Sequence, residues 1–438
     1  MPTAWLRYPG GATLEMMRLL GIAFRNLTRA KRRNALSGGT MVLGSAALVL
    51  GSGLSDGIAR QLTDNLVAVQ TGHLLVLVRS DDFIPQNSPF DAYGQELIPG
   101  AEEMAHRIEA EGKAVGVARA VPYLHGRATA MAGSRSSPAG VIGIEPSREP
   151  ELRAAFPSIA GRFLADGDDL SAYVAEPVAR KLRLGVGDAV SFVVQTPKGG
   201  LNSMDAVVCG VFKKNAPWYD ATFYVTLRAA QALFDGAGSG TNIKIELRDG
   251  STSGAHRARD AVARMVGAPA GVPPGSRVRV ETFDEAGRFS FSIIQANEAA
   301  LTILSAFLFL AAGVGIVNAM LMSVHERTRE IGTLRALGMR RGLVVRLFLL
   351  EGFALGVCAA VAGATLGGVL VLRLGSQGIP MNTMTLAWMA GGDALFPVLR
   401  ATSVARAAGA IALLSTLAAA YPAFAASRLE PREALQHV

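Results

Sequence analysis

The sequence predicts an α-helical membrane protein with four transmembrane helices and an α+β extracytoplasmic domain inserted between the first and the second. Three observations carry that prediction: four long apolar runs, a stretch of ordinary soluble composition between two of them, and an uneven distribution of charge. The 438 residues are 50% hydrophobic and only 18% charged, with a mean hydropathy of +0.31. That balance excludes a disordered chain and an ordinary soluble enzyme. A formal net charge of +8 would raise nucleic acid first, but aromatics are only 6%, too few for a basic surface interleaved with stacking rings. No nucleic-acid partner is expected.

In chain order, residues 1–35 are predicted as a cytoplasmic amphipathic elbow helix. Met16, Leu20, Ala23, Phe24 and Leu27 recur at helical spacing, and Arg18, Arg25 and Arg29 occupy other faces. Lys31, Arg32 and Arg33 follow at the level of the headgroups. A bilayer-spanning helix needs about 20 mostly apolar residues. The first such run covers residues 36–55, with GGTMVLGSAALVLGSGL at its centre. Its basic flank is long and no A-x-A cleavage site follows Leu54, so an uncleaved anchor is expected in place of a signal peptide.

Residues 56–298 are the inserted domain. A helix is expected to continue from the first span before alternation begins in GHLLVLVR. Strands are predicted at 118–131, 139–144, 189–195, 205–212, 221–226, 242–247 and 277–282. Helices are predicted at 101–111, 175–183, 228–234 and 254–265. Interleaved strands and helices suggest α+β, in two subdomains. Spans two to four follow at 299–324, 343–372 and 407–427, separated by a cytoplasmic loop at 325–342 and an outer loop at 373–406. Residues 428–438 form a cytoplasmic tail.

Charge sets the orientation. Residues 1–37 carry a net of +6 and the loop 323–346 a net of +4, whereas residues 56–298 hold 25 basic and 28 acidic residues. Short Lys/Arg-rich segments stay inside. Both termini are therefore expected in the cytoplasm and the large domain outside.

Catalytic chemistry finds no foothold. His73, His106, His125, His256, His325 and His437 are scattered singly, without metal-binding spacing. Asp166, Asp168 and Asp169 sit among turn residues and read as a solvated turn, with a cation site as the alternative. No G-x-S-x-G elbow is present. The Gly112-Lys113 pair has Arg107 and Ala114 where a phosphate-binding loop needs Gly and Ser or Thr. No catalytic residue, metal or cofactor is assigned to this chain. Cys209 and Cys358 are kept apart by the predicted topology, so no disulfide framework exists. Trp218 and Tyr219, after Pro217, form either an exposed aromatic tip that grips a partner or a packed loop.

The loop HERTREIGTLRALGMRRG (325–342) has the pattern of a short amphipathic helix. Val324, Ile331, Leu334 and Leu337 fall near one face, Glu326, Arg327, Arg329, Glu330 and Arg335 fill the rest, and Gly338 is placed to end it. The bland alternative is a positive-inside loop that is merely helical. Glu351, the acidic residue inside the third span, is either functional or structurally paired with an arginine of this loop. Gly352-x-x-x-Gly356 and Gly363-x-x-x-Gly367 suit close helix contact, and Pro422 can kink span four.

FRNLTRAKRRNAL (24–36), HERTREIGTLRALGMRR (325–341) with Glu351 following, and YPAFAASRLEPREAL (421–435) resemble the signatures of the FtsX-like permease family. That family comprises membrane subunits of ABC transporters of the MacB and LolC/LolE types. TGHLLV (71–76), GRFLADGDDLSAYVAEPVARKLRLGVGDAV (161–190) and YDATFYVTLRAAQALF (219–234) resemble its periplasmic core region. The resemblance implies a non-catalytic permease in a bacterial inner membrane. Its coupling helix, Glu326 to Gly338, would dock on a separate ABC ATPase that holds ATP and Mg. A second permease copy, identical or a paralogue, would complete the complex. The motion would reach the periplasmic domain instead of opening a route through the bilayer. Lipoprotein release with a periplasmic carrier is the expected task, since the chain starts directly with the elbow helix. MacB-like efflux of peptides or small molecules with an adaptor, and FtsX-like regulation of a periplasmic hydrolase, are the alternatives.

Overall fold

The computed structural model describes residues 31–84, 86, 94, 96–197, 199–213, 219–267, 269–381, 383, 387, 392 and 394–428. Most of the predicted elbow helix, Trp218 and the tail beyond 428 lie outside the described residues. The chain divides into two compact units. One comprises Met1–Gly57, Asn297–Ile379 and Phe396–Val438, the other Ile58–Ala296 and Pro380–Leu395.

The order opens with α1 (Lys31–Asn65), which runs on as a π-helical segment over Leu66–Thr71. Then come β1 (Leu74–Ser80), α2 (Ala101–Glu111), β2 (Val117–Ala132), β3 (Arg135–Ile144), α3 (Pro150–Ala155), β4 (Ser158–Gly161) and β5 (Ser171–Ala175). They are followed by α4 (Glu176–Leu182), β6 (Ala189–Gln195), β7 (Leu201–Phe212), β8 (Thr222–Thr226), α5 (Leu227–Leu233), β9 (Asn242–Leu247), α6 (Thr252–Val266) and β10 (Ser276–Thr282). The last elements are α7 (Phe283–Ala286), α8 (Arg288–Glu326), α9 (Thr328–Ala336), α10 (Arg341–Gln377) and α11 (Ala401–Ser427).

In the first unit, α1, α8, α10 and α11 are long and apolar enough to cross a membrane. Each is longer than the apolar run that predicted it, because hydropathy marks only the stretch that needs lipid while the helix continues through polar residues. The two small-residue motifs of α10 sit at helix contacts. A Cβ added at Gly352 would come within 2.5 Å of the Ala419 Cβ, and one at Gly356 would strike Ser415, both on α11. At Gly363 it would reach 2.5 Å from the Val42 carbonyl and at Gly367 2.7 Å from the Ala46 carbonyl, both on α1. Hydroxyls follow the same seams. Ser45 donates to the Ala360 carbonyl at 3.2 Å, and Ser415 donates to the Gly352 carbonyl.

The second unit is built on a mixed sheet in the order β10-β1-β9-β2-β3-β8-β5-β7-β4, with β6 pairing both β2 and β7. Strands β2, β3, β8, β5, β7 and β6 therefore close into a ring. β3–β8 and β5–β7 are parallel. The long β2 serves two structures: Val117–Tyr123 pair with β9, and Leu124–Ala132 pair with β3. Gly133 (φ 57°) provides the positive φ for the tight turn from β2 to β3.

Two cores result. The ring is filled by Phe156, Tyr173, Phe192, Phe212, Phe223 and Tyr224 together with smaller apolar residues. Strand β6 shows why: its alternation sends Val190, Phe192 and Val194 inward. The second core lies where Leu74, Val76 and Val78 of β1 and Ile243 and Ile245 of β9 meet Met104 and Ile108 of α2 and Val262 of α6. Sequence alternation missed β4 and β5, which are short, and SAYVA is buried along nearly all its length and so has no polar face to reveal its period.

Between these cores lies a charged seam that the sequence did not announce. Lys244 Nζ donates to Glu149 Oε2 at 2.6 Å and to the Ala68 carbonyl at 3.1 Å. Both side chains of the Lys244–Glu149 pair are 0% exposed. Burial raises the Glu149 pKa and Lys244 opposes that rise. Arg119 of β2 reaches both Glu246 of β9 and Glu151 of α3 at 2.5 Å.

Candidate functional site

The predicted surface helix is α9, Thr328–Ala336, shorter than the 325–342 loop that contains it. The preceding helix α8 ends at Glu326, and the chain bends at Arg327 (φ −109°, ψ 15°) before α9 begins. Thr328 fastens the bend by donating its hydroxyl to the Val324 and His325 carbonyls, each at 3.0 Å. Glu330 in the first turn and Arg335 in the last both complement the helix dipole. At the other end, Gly338 adopts φ 97°, and Met339 N–H donates to the Leu334 carbonyl at 3.1 Å. Only a glycine adopts that turn without strain.

One side of α9 is locked down. Ile331 is buried with Val324, Val344, Phe348, Ala423 and Ala426. Arg335 Nη1 donates at 2.6 Å to the carbonyl of Ser427, the last residue of α11. Such a cation satisfies a helix C-terminal carbonyl and the dipole at once. Arg327 is shared between two carboxylates: its Nε donates to Glu330 Oε2 at 3.1 Å, and its Nη1 lies 3.5 Å from Glu351 Oε2. Glu351 is 4% exposed. The structure thus brings Arg327, Glu330 and Glu351 together.

The other side is open. Glu326, Arg329, Glu330 and Gly338 are exposed, and Leu334 and Leu337 are 40% and 81% exposed. This corrects the single apolar face predicted for Val324, Ile331, Leu334 and Leu337. Val324 and Ile331 pack against α10 and α11, while Leu334 and Leu337 stand among the charges, since neither joins the apolar cluster that takes Ile331. The result is a mixed apolar and charged surface on a helix whose back is fixed.

Other predicted sites resolve differently. Tyr219 is 5% exposed; its hydroxyl accepts from Gln70 Nε2 at 3.0 Å, and its ring meets Phe156 edge-on at 5.0 Å. It is a core residue and not an exposed tip. Among the acidic turn residues, Asp168 is bound by the Arg162 guanidinium, which holds its carboxyl below the usual range, and Asp169 accepts from Thr226 at 2.7 Å. Among the described residues no group of three or more His, Cys, Asp or Glu is arranged to hold a metal. The Arg335–Ser427 contact had no sequence signal, because the partners are 92 residues apart. The buried Lys244 had none either: it keeps the polar/apolar alternation of β9, NIKIEL, in which a lysine between two isoleucines reads as a solvent-facing residue.

Comparison with known proteins supplies family descriptions for both units. Residues 302–431 match the FtsX-like permease C-terminal family, and residues 35–259 match the MacB-like periplasmic core domain. A macrolide export ATP-binding/permease protein MacB from Bdellovibrio bacteriovorus is 27% identical over 97% of this chain and 62% of its own length. A pyoverdine export ATP-binding/permease protein PvdT from Pseudomonas aeruginosa is 47% identical over 16% of this chain and 11% of its own. The chain thus spans less than two thirds of the length of these curated relatives. The periplasmic region of MacB from Actinobacillus actinomycetemcomitans aligns over 50% of this chain and 92% of its own, at 13% identity and a TM-score of 0.35.

Proposed function

The chain belongs to the FtsX-like permease family and carries a MacB-like periplasmic core domain, and on that premise we propose that it is the non-catalytic membrane subunit of an ABC transporter. ATP and Mg are bound by an ABC ATPase partner, and α9 is the surface that meets it. The observation supporting this reading is the two-sidedness of α9. Ile331 and Arg335 fix it to α10 and α11, while Glu326, Arg329, Glu330, Leu334 and Leu337 are exposed on the other side. Exposed leucines among charges suit a protein interface better than a headgroup layer alone.

In this reading both termini and α9 are cytoplasmic, the residue 58–296 domain is periplasmic, and the bilayer is the inner membrane. Two permease copies, identical or paralogous, share two ATPases. The ATP-driven stroke works on the periplasmic domain. Two relatives are named for export of chemically unlike molecules, macrolides and pyoverdine. That favours MacB-like efflux of a small molecule or peptide with a periplasmic adaptor. Lipoprotein release is the second reading, supported by the motif resemblance to LolC/LolE. It predicts a co-purifying triacylated lipoprotein and a periplasmic carrier.

The test reverses one exposed charge. Glu330→Lys is expected to cut co-purification of the ATPase about tenfold or more, because a like-charge contact in an interface costs several kcal/mol. Membrane insertion should be unaffected, since Glu330 is largely exposed. Undiminished assembly with undiminished substrate-stimulated hydrolysis would sink the assignment of α9.

A further inference from the structure

The helix that begins with α1 does not end in the α register. Over Leu66–Thr71 it is π-helical, and Gly72 N–H donates to the Val67 carbonyl at 3.1 Å, a reach of five residues in place of four. Thr71 shows the same reach, its Oγ1 standing 3.3 Å from the Leu66 carbonyl. One carbonyl is thereby left out of the ladder. Ala68 would be served by Gly72 N–H in an α-helix and by His73 N–H in a continued π-helix. Gly72 is committed to Val67, and His73 N–H donates to the Ile245 carbonyl at 2.8 Å. A carbonyl held away from water without a donor is costly. Here Lys244 of β9 supplies the donor: its Nζ, on a side chain that is 0% exposed, lies 3.1 Å from the Ala68 carbonyl.

We propose that Lys244 is a positioning residue that sets the rotational phase of the end of α1. It occupies the Ala68 carbonyl that Gly72 N–H would otherwise take, and so holds the helix end in the π register. Without the ammonium, Gly72 N–H returns to Ala68, and each preceding carbonyl takes the amide four residues on. Gly72 itself stays where it is, because its missing Cβ lets it lie against the Ile245 carbonyl. Residues 58–65 then turn by one residue, about 100°. Glu149 serves the lysine by accepting from it at 2.6 Å and holding the ammonium in place. Glu246 Oε1 also stands 3.5 Å from Nζ, but Arg119 holds Glu246 independently. On the transporter reading, the stroke enters the domain through α1, and Lys244 fixes the angle at which it arrives. The register assignment stands without that reading.

A cysteine scan reads the phase. It uses the full chain in detergent, with Cys209→Ser and Cys358→Ser and single cysteines placed at Thr63, Asp64 or Asn65. Asp64 is exposed and its two neighbours are half-buried, so the rate of maleimide labelling is expected to peak at 64. In Lys244→Met combined with Glu149→Leu, which strands no charge, the peak is expected to move to 65, because each residue takes the place of the one before it. A general loosening of the fold would instead raise all three rates together. Deletion of Ala68 is the second variant. Removing the surplus residue restores the α ladder with the original phase, so the peak is expected to stay at 64 and no longer to respond to Lys244→Met with Glu149→Leu. Should the double variant fail to accumulate, the deletion decides. A peak that stays at 64 in the double variant, three rates that rise together, or a peak that moves on deletion of Ala68 overturns the proposal. No ATPase takes part, so any of these results leaves the transporter reading as it stands.

Discussion

The helices of the first unit and the ring of the second solve the packing problem in opposite ways. Along α10, contact is made where side chains are missing: Gly352 and Gly356 face Ala419 and Ser415, and Gly363 and Gly367 face the α1 backbone. Inside the ring, contact is made by the largest side chains available. Phe156–Phe212 and Phe192–Phe223 meet edge-on and Tyr173–Phe212 at a tilt, with centroids 5.0 to 5.1 Å apart. The solvent explains the difference. In water, each buried aromatic ring removes a large apolar area from contact with the solvent. In lipid, a large side chain gains nothing by leaving its surroundings, and helices associate through close backbone approach and hydrogen bonds.

That contrast can be broken at chosen points. The largest effects belong to the soluble unit. Phe212→Ala should destabilise the ring by about 3–5 kcal/mol, read as a lower denaturation midpoint of this unit in the full chain. Lys244→Met should cost a similar amount, about 3–5 kcal/mol, because it strands the Glu149 charge. Adding Glu149→Leu to that variant should restore most of the loss, and failure to do so would mean that the pair stabilises the fold outright. Gly356→Val should cost about 1–3 kcal/mol by forcing α10 and α11 apart, whereas Gly409→Ala, where an added Cβ meets nothing within 4 Å, should leave thermal stability in detergent unchanged. If both glycine variants behave alike, close approach does not hold the apolar helices together.

The smallest effect is a pH dependence. Leu247 N–H donates to His73 Nδ1 at 3.1 Å, so that nitrogen must be unprotonated. Burial lowers the His73 pKa, against the pull of Glu246 and Asp249. A lowered folded-state pKa makes the His73 contribution complete above the ordinary imidazole pKa of about 6.5 and lost as pH falls below it. Melting curves of the full chain and of His73→Gln should diverge above that pH and converge below it.

Much of this organisation could be read from the residues. Apolar length marked the four long helices, and alternation marked β2, β6 and β9. Gly338 marked the end of α9, because a positive φ there has few alternatives. What escaped depended on distant partners. The closure of the ring requires β6 to pair with β2 across some sixty residues of chain, from Phe192 to Ala130, and local pattern has no bearing on that choice. Tyr219 followed a proline in a stretch that resembled a loop tip, yet Phe156 and Gln70 bury it. At α9, periodicity grouped Leu334 and Leu337 with Ile331, but only Ile331 found neighbours on α10 and α11.

The long strand β2 has a mechanical consequence. Its first half is laced to β9 and its second half to β3 and β6, so a single piece of backbone runs through both cores. Ladder bonds stand perpendicular to the strand. A tug along β2 must shear many of them together, as threads in a seam share a load, while a tug across it would unzip them one by one. The two halves of the domain are therefore stitched most firmly against forces that run lengthwise through both.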